Sequence, residues 1–467
     1  MGRRDASVEL VENVLHTSFK DLAANDIEVT KKDILDTLGC VVSGSSHPPF
    51  SQLVAYLKDQ GGKEESTIMV YGARVPAPAA ALANAGMARA LDFDAVYWPT
   101  GTHISATIVP ASLVAAERQG CVNGRELITA VALGEDTGLR IMAACKDSMH
   151  LVGRPRAGSF IGGTFGAAMA AAKLMKLDRE RLLDAFGNAY CQMTGDMACL
   201  WAGALCHPVH QGIVARAGIF AATLASIGVT GTRDVLEGEW GYYHTFEGGV
   251  YDRQALMAGL GETFLGSGVS IKPYPCCAIP FTAMQATSEL VAEHDISPQE
   301  IEEITVYCSE DILLQCSPER ADPKTAVDLH YSLLWDVGVI AARGKAEIED
   351  FTLEGKEKIR DMVVPMARKV KAVHEPEFDF EKSAADSVIP SAVEIRTKSR
   401  GVYKRRVDDV KGNPQNPMNW DEVGTKFRDC ARFAARPLPP ENIDEVIRLV
   451  HNLEEVSDVG RIAGLLG

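Results

Sequence analysis

Apolar residues recur at helical spacing through most of residues 1–269. The segment VELVENVLHTSFKDL has this spacing, KKDILDTLGCVVSG ends on a glycine, and PAPAAALANAGMARAL follows prolines suited to a first helical turn. The spacing continues in SATIVPASLVAAERQ, GRELITAVALGEDTGLRIMAACK, SFIGGTFGAAMAAAKLMKL, RERLLDAFGNAYCQMTGDMA and IVARAGIFAATLASIG. Alanine and glycine on so many helices allow the helix axes to approach closely. The pattern therefore predicts a compact bundle whose helices are buried on more than one side.

The pattern changes near residue 270. The segment IEEITVYC alternates as a strand does, SAVEIRTKSRGVYKRRV is typical of two strands around KSRG, and TAVDLHYSLLWDVGVIAARG between them predicts one helix. From GNPQNPMNWDEV onward the spacing is helical again. A chain of 467 residues also exceeds what one core usually organises. We therefore predict a mainly α fold with an inserted α+β domain: a large all-helical domain of residues 1–269 and 409–467, and a smaller α+β lid domain of residues 270–408.

Composition and charge narrow the class of protein. With 46% hydrophobic and 24% charged residues, the chain is typical of soluble globular proteins. Its 47 basic and 63 acidic residues give a net charge of -16, which opposes nonspecific attraction to nucleic acid and to anionic membranes. We therefore expect neither as a partner. A small anionic substrate is compatible with this charge, because a local group of Lys, Arg and His side chains can dominate the field inside a pocket.

The sequence also predicts a cytoplasmic location. No apolar run approaches the roughly 20 residues that a membrane-spanning helix needs. The start of the chain, MGRRDASVELVENV, lacks the apolar stretch of a signal peptide. Eleven cysteines scattered through a long chain are typical of reduced thiols and not of a disulfide framework.

A polar segment between two Ala-rich helices is the first candidate site. Residues 88–105, ARALDFDAVYWPTGTHIS, contain Asp92, Asp94 and His103, and Pro99 prevents one continuous helix. Asp92 or His103 can act as a general base once its surroundings shift its pKa toward neutrality. The structural alternative is that the two aspartates cap a helix and that His103 is a buried, hydrogen-bonded imidazole.

The segment CHPVHQG raises the question of a metal site. It contains Cys206, His207 and His210, and the spacing can present both histidines on one side of a turn. No third ligand lies at a recognisable spacing, and Pro208 favours a structural turn. We therefore predict no metal here.

The segment SIKPYPCCAIPFTAM places Lys272 at the predicted domain junction, just before a predicted helix. Free backbone N–H groups at a helix start, together with an ammonium, suit an anionic carboxylate. Cys276 can be a nucleophile at such a helix start, or a small buried hydrophobe. We favour packing and helix-start roles for Cys276 and Cys277, because the chain has no pair of CxxC elements for a metal.

Five segments together carry a resemblance to a known family. In this order, ALDFDAVYWPTGTHISATIVPASLVAAE, FIGGTFGAAMAAAKLMKL, HPVHQGIVARAGIFAATLASIGVTG, VLEGEWGYY and IKPYPCC resemble the MmgE/PrpD family over nearly the whole chain. The family contains 2-methylcitrate dehydratases, cis-aconitate decarboxylases and an iminodisuccinate epimerase. The resemblance implies a helical domain with a smaller α+β lid domain, a homodimer, and catalysis with no organic cofactor and no metal. These reactions share a carbon next to a carboxylate in a small di- or tricarboxylic acid, so cationic donors must meet the charge that develops there.

The resemblance assigns roles to individual residues. Asp92, His103 and Lys272 match the family's acidic residue in the DFD run, its histidine before the next helix and its lysine in the KPYPCC run. His210 matches the histidine before the QG turn. We therefore predict that Asp92 or His103 accepts and donates the proton and that Lys272 stabilises the developing charge.

Three other positions depart from the family pattern. The family often has a histidine shortly before GTFG, where this chain has Arg154 and Arg156 nearby. His207 stands where decarboxylase-like relatives carry a lysine, and Trp335 stands at the lid-helix tyrosine, with Tyr331 one helical turn earlier. Such changes alter how a carboxylate is held, because a guanidinium binds it in a bidentate way and an imidazole does not. The predicted substrate-binding residues are Arg154, Arg156, Thr102, His207, His210, Tyr331 and Trp335.

We predict an enzyme that abstracts a proton α to a carboxylate of a small di- or tricarboxylic acid. A hydro-lyase of the 2-methylcitrate dehydratase type is the first choice, because this is the commonest chemistry of the family that the chain resembles. An epimerase of an iminodisuccinate-type dicarboxylate and a cis-aconitate-type decarboxylase are the alternatives. A binding protein that kept the fold and lost catalysis is the hypothesis from another class, and a thiol enzyme built on Cys276 is a further one.

Overall fold

Helices dominate the structure, a computed structural model that describes residues 4–145, 157–316, 319–379 and 388–467. Within those ranges the helices are α1 (Ala6–His16), α2 (Ala24–Gly44), α3 (Phe50–Gln60), α4 (Ala77–Arg89), α5 (Ser105–Gln119), α6 (Gly124–Ala143), α7 (Gly158–Leu174), α8 (Arg179–Tyr190), α9 (Ala198–Trp201), α10 (Cys206–Ser226), α11 (Tyr242–Phe246), α12 (Arg253–Met257), α13 (Phe281–Glu293), α14 (Glu310–Gln315), α15 (Ala326–His330), α16 (Leu333–Arg343), α17 (Leu353–Ala367), α18 (Trp420–Ala431), α19 (Pro440–His451) and α20 (Gly460–Leu465). The strands are β1 (Ser66–Ile68), β2 (Ala73–Val75), β3 (Ile301–Cys308), β4 (Val370–His374), β5 (Ser391–Thr397) and β6 (Gly401–Val407).

The larger core is built from the N-terminal helices and the end of the chain. Its buried apolar side chains run from Ala6 to Ile271, and residues 418–466 complete it. Helices α4, α5, α7 and α10 pack against one another in this core, and α18 packs on α2. A Cβ atom on Gly212 would lie 2.0 Å from the carbonyl oxygen of Leu82, so α10 and α4 meet with almost no side chain between them. The predicted compact bundle of Ala- and Gly-rich helices is therefore confirmed.

The smaller core lies around a four-stranded mixed sheet of order β4-β3-β5-β6. Strand β3 runs parallel to β4 and antiparallel to β5, and β5 is antiparallel to β6. Ile304, Val306 and Cys308 alternate along β3 and are fully buried, so one face of the sheet carries the core. Helices α13 and α16 cover that core. The predicted fold class, mainly α with a smaller α+β part, is confirmed.

Two details of this smaller part differ from the sequence-based expectation. Strand β4 was not predicted, because it is an edge strand that is mostly exposed and carries Lys371 paired with Glu303 across the sheet. The single helix predicted for residues 325–344 is wrong: the chain breaks at Tyr331, which has φ -129° and ψ 46°. Ser332 then caps α16 by accepting a hydrogen bond from the N–H of Trp335.

Among the described residues, no helix is both long and apolar enough to cross a bilayer. The exact domain boundaries at 269/270 and 408/409, the lid role of the smaller part and the homodimer stay predictions.

Candidate active site

A cavity of about 80 Å³ lies where the two cores meet. Arg89 at the end of α4, His103 just before α5, Phe160 of α7 and His207 of α10 line it from the larger core. Tyr331, at the break between α15 and α16, lines it from the smaller core. The cavity therefore requires both parts of the molecule.

The loop between α4 and α5 holds a shape that a helix cannot adopt. Asp92 has φ 49° and Gly101 has φ 59°, both in the left-handed region. Aspartate tolerates this region better than most residues because its short polar side chain bonds locally. Val96 exchanges both backbone hydrogen bonds with Ser270, at 3.0 and 2.8 Å. This bridge ties the loop to the segment that carries Lys272.

Four buried charges alternate in sign around this loop. Nη1 of Arg89 donates to Oδ1 of Asp92 and, at 3.1 Å, to Oδ1 of Asp94. Nζ of Lys272 donates to Oδ1 of Asp92 at 2.9 Å, to its carbonyl oxygen at 2.7 Å and to the carbonyl oxygen of Cys276 at 3.1 Å. All three ammonium protons of Lys272 therefore have acceptors inside the protein.

These pairs keep both carboxylates ionised. Burial raises the pKa of Asp92, but the charges of Arg89 and Lys272 outweigh it and hold that pKa well below its usual range. Burial likewise raises the pKa of Asp94, while Arg89 and His103 lower it to about 2. One oxygen of Asp92, Oδ2, is buried with no hydrogen-bond partner among the described residues.

His103 is held by its ring and by its backbone. Its Nδ1 lies 3.1 Å from Oδ2 of Asp94, its backbone N–H donates to Oγ of Ser159 at 2.8 Å, and its carbonyl oxygen accepts from Nε2 of Gln211 at 3.0 Å. Burial and the charge of Arg89 lower the pKa of His103, which Asp94 partly offsets. The imidazole is then neutral, with its Nδ1–H directed at Asp94 and its Nε2 left as a base or, once protonated, an acid.

A lysine from the C-terminal part of the chain supports the same loop from behind. Nζ of Lys426 on α18 donates to the carbonyl oxygen of Phe93 at 2.9 Å and pairs with Oδ1 of Asp36 at 2.6 Å. The ammonium also lies 3.7 Å from the centroid of the Phe93 ring. Phe93 stands between the two aspartates in sequence, so α18 fixes the part of the loop that carries them.

The two histidines of CHPVHQG lie in the first turns of α10, so the predicted structural turn around Pro208 is wrong. Proline is compatible with a first helical turn, where its missing N–H would have no partner anyway. His207 lines the cavity, and its Nε2 is buried without a partner among the described residues. Burial and Arg89 lower the pKa of His207 to about 3. His210 lies outside the cavity wall and stacks on Phe160 with a centroid distance of 4.0 Å.

Tyr331 and Trp335 lie in different surroundings. The hydroxyl of Tyr331 accepts a hydrogen bond from Nη2 of Arg89 at 3.4 Å, and burial raises its pKa. The break in the predicted helix brings this side chain to the cavity. Trp335 is fully buried in the smaller core, where its Nε1–H donates to the carbonyl oxygen of Asp350 at 3.2 Å. The substrate contact predicted for Trp335 is therefore corrected: its indole is used in packing, away from the cavity wall.

Of three more predicted substrate-binding residues, the structure describes Thr102 alone, and Thr102 does not line the cavity. Thr102 is fully buried behind it, with its hydroxyl bonded to that of Thr100. Arg154 and Arg156 lie outside the described residues, and their predicted contacts stay predictions.

The cysteines of the KPYPCC run are not at a helix start. Helix α13 begins at Phe281, so that part of the prediction is wrong. Cys276 is fully buried, and burial raises its pKa well above the usual value for a thiol. A protonated, inaccessible thiol argues against the thiol-enzyme hypothesis.

Asp92, Asp94 and His103 are close enough to share a metal ion, with one ligand atom of each within 4.8 Å of the others. Their carboxylates are already bound by Arg89 and Lys272, which would repel a cation from the same place. The arrangement fits a charge-balanced proton-transfer site better than a metal centre.

Sequence reasoning missed Arg89, although a signal was present. It is a lone cation at the end of an Ala-rich, buried helix, followed three and five residues later by Asp92 and Asp94. A buried cation needs partners, and both aspartates were within its reach.

The chain matches two family models: the MmgE/PrpD N-terminal domain over residues 8–254 and the MmgE/PrpD C-terminal domain over residues 274–452. It is 24% identical to the cis-aconitate decarboxylase-like protein oryM of Aspergillus oryzae, over 99% of this chain and 97% of that relative. It is 24% identical to a cis-aconitate decarboxylase of Aspergillus terreus, over 100% of this chain and 96% of the relative. It is 25% identical to the cis-aconitate decarboxylase of Homo sapiens, over 94% and 90%.

Proposed function

The chain belongs to the MmgE/PrpD family, and we propose that it is a lyase for a small polycarboxylic acid in which His103 transfers a proton to or from carbon. The observation that carries this proposal is the neutral His103 imidazole, oriented by Asp94 at the wall of a cavity that also contains Arg89. Decarboxylation of a cis-aconitate-type tricarboxylate is the first candidate reaction, because relatives matched along nearly their whole length carry that name.

In such a decarboxylation the bond between a carboxylate carbon and the carbon skeleton breaks. Carbon dioxide leaves without the bonding electron pair, which is delocalised toward a neighbouring carboxyl group and then takes up a proton at carbon. His103 supplies that proton from Nε2, and Asp94 stabilises the imidazolium that exists before the proton is transferred. Because the pKa of His103 is lowered in the free protein, the imidazole gains this proton together with the negative charge of the substrate.

Dehydration, the first choice from the sequence, is the second candidate, and His207 favours it. Elimination of water needs a base for the proton α to the carboxylate and an acid for the leaving hydroxide. The cavity wall offers two imidazoles, His103 and His207. Because the pKa of His207 is about 3 in the free protein, His207 becomes the acid only when the negative charge of the substrate raises that pKa. Neutral His103 would act as the base, so dehydration should slow as the pH falls through its pKa. Decarboxylation should instead slow as the pH rises through the pKa of the substrate-bound imidazolium.

Proton NMR in deuterium oxide tests the proposal with cis-aconitate, citrate, 2-methylcitrate and an aspartate-derived dicarboxylate as substrates. We expect cis-aconitate to lose carbon dioxide and give an unsaturated five-carbon diacid with deuterium at the newly protonated carbon. A new olefin with no loss of carbon dioxide would assign dehydration, and deuterium exchange without a new product would assign epimerisation. Tight binding with no change in any compound would overturn the lyase and support the non-catalytic binding protein.

A further inference from the structure

Arg89 is the one permanently charged side chain among the described residues that line the cavity. Its side chain is only 5% exposed. Lys272, the other cation of the network, lies outside the lining, and its ammonium already donates to three acceptors. An anionic ligand in this cavity would therefore meet Arg89 as its fixed positive charge.

Part of the Arg89 guanidinium remains available to a ligand. A guanidinium has five N–H donors. Nη1 is used by Asp92 and Asp94, and Nη2 makes one long bond of 3.4 Å to the hydroxyl of Tyr331. Within the described ranges, Nε donates to no residue. Tyr331 accepts in its bond with Arg89, so its own O–H proton is left to donate elsewhere, and no described residue accepts it.

We propose that Arg89 and Tyr331 together bind one carboxylate of the substrate, Arg89 through Nη2 and Tyr331 through its hydroxyl. This inference rests on the proposed function and deepens it. Hydrogen bonds between a guanidinium and a carboxylate are charge-assisted and among the strongest in proteins. Arg89 belongs to the larger core and Tyr331 to the smaller, so the bound carboxylate bridges the two.

The arrangement separates two contacts with the substrate. Asp94 orients His103 for proton transfer at the reacting carbon, while Arg89 and Tyr331 hold a carboxylate.

Calorimetric binding of tricarballylate, a saturated tricarboxylate, and of its two monoamides tests the assignment without any turnover. The wild-type protein should bind the acid more tightly than at least one monoamide. Arg89→Met should weaken the binding of tricarballylate by about 10- to 150-fold, the range for hydrogen bonds to charged groups. The same substitution should change the affinity for the more weakly bound monoamide much less, so that the preference for the acid over that monoamide disappears. A merely structural effect would weaken all three ligands by the same factor, and that result overturns the proposal.

A second variant guards against misfolding, because Arg89 also neutralises Asp92 and Asp94. Tyr331→Phe keeps those ion pairs and removes only the hydroxyl. It should therefore weaken the binding of tricarballylate by about 2- to 12-fold and reduce the preference for the acid over the monoamide. Unchanged binding in Tyr331→Phe would remove Tyr331 from the site. Arg181→Met, at a side chain that is 51% exposed, is the control and should leave every affinity unchanged.

The outcomes separate this inference from the proposed function. Preferential binding that depends on Arg89, with no turnover of any polycarboxylate, would keep the carboxylate site and overturn the lyase. Turnover with an unchanged preference in Arg89→Met would keep the lyase and overturn the role of Arg89. A wild-type protein that binds none of the three ligands would overturn the carboxylate site.

Discussion

Two groups of buried carboxyl side chains in the larger core have pKa values that are shifted in opposite directions. At the candidate site, Asp92 and Asp94 are paired with Arg89 and Lys272, and their pKa values are lowered. In the second group, Asp33 of α2 and Glu135 of α6 influence each other's pKa, and no described cation pairs with either. Burial raises the pKa of Asp33 to about 6, and burial together with Asp33 raises that of Glu135 well above its usual value.

The comparison shows that burial alone does not make a carboxyl group reactive or ionised. A buried carboxyl without a cation keeps its proton to a higher pH, because burial disfavours the charged form. The candidate site holds its carboxylates charged by placing a guanidinium and an ammonium beside them. In the proposed function, the group whose proton moves beside these fixed charges is His103.

The largest effect is expected from replacing His103, the imidazole that Asp94 orients. His103→Gln should lower kcat/KM for the accepted substrate by about 100- to 10,000-fold, the usual contribution of a general acid or base. The matched control is His16→Gln, at a side chain that is 74% exposed, which should leave kcat/KM unchanged. Activity of His103→Gln within a few-fold of wild type would assign proton transfer to another group.

Removing one cation should make the cluster of Arg89, Asp92, Asp94 and Lys272 resemble the Asp33–Glu135 pair, which has no described cation beside it. Lys272→Met should lower the free energy of unfolding by about 3–5 kcal/mol, because it breaks a fully buried ion pair and leaves Asp92 with less compensation. Chemical denaturation followed by circular dichroism measures this change. Lys345→Met removes a lysine whose side chain is 59% exposed and should change the free energy by less than about 1 kcal/mol. Equal effects of the two substitutions would contradict the role given to Lys272.

A smaller change keeps Arg89, Asp92 and Lys272 but removes the carboxylate that orients the His103 imidazole. Asp94→Asn should lower kcat/KM by about 10- to 100-fold, since the ring loses the carboxylate that holds and stabilises it. The negative charge of Asp94 raises the pKa of His103, so its loss should move that pKa further down. An NMR titration of the imidazole C–H resonances checks the direction, and a higher pKa in the variant would be inconsistent with it.

The smallest effect is expected from the group without cations. The pKa of Asp33 in the folded protein, about 6, lies above its ordinary value of 3.8. The wild-type protein therefore loses stability as the pH rises from about 4 through 6. Asp33→Asn cannot ionise and should be more stable than wild type by on the order of 1–3 kcal/mol at pH 8, with little difference at pH 4. Thermal unfolding at both pH values measures this. A gain of the same size at pH 4 would show that ionisation of Asp33 is not its cause.

Sequence reasoning located part of this site and missed its centre. Asp92 and His103 stood out because a polar, non-helical segment interrupts an Ala-rich bundle, and the KPYPCC run pointed to Lys272. Their contacts across long stretches of chain follow from tertiary packing, such as the bridge between Val96 and Ser270, which no local pattern encodes. Arg89 escaped notice because it lies in a helix whose other residues follow the pattern of a packed, Ala-rich core helix.

The fold was easier to predict than the details that complete the cavity. Helical spacing and strand alternation sufficed for the bundle and for β3, β5 and β6. The break at Tyr331 did not show, because the apolar spacing continues through it and only the cap formed by Ser332 marks the new helix. Strand β4 lacked a signal because an exposed edge strand has little apolar alternation.

The hydrogen bond from Lys426 to the carbonyl oxygen of Phe93 has a consequence for synthesis of the chain. A ribosome makes on the order of 300 residues between these two positions, which takes roughly 15 to 70 seconds at about 5–20 residues per second. During that interval the loop between α4 and α5, which carries Asp92 and Asp94, has been translated but lacks Lys426, which holds it in place. The nascent protein can therefore form much of its helical bundle well before the candidate active site is complete.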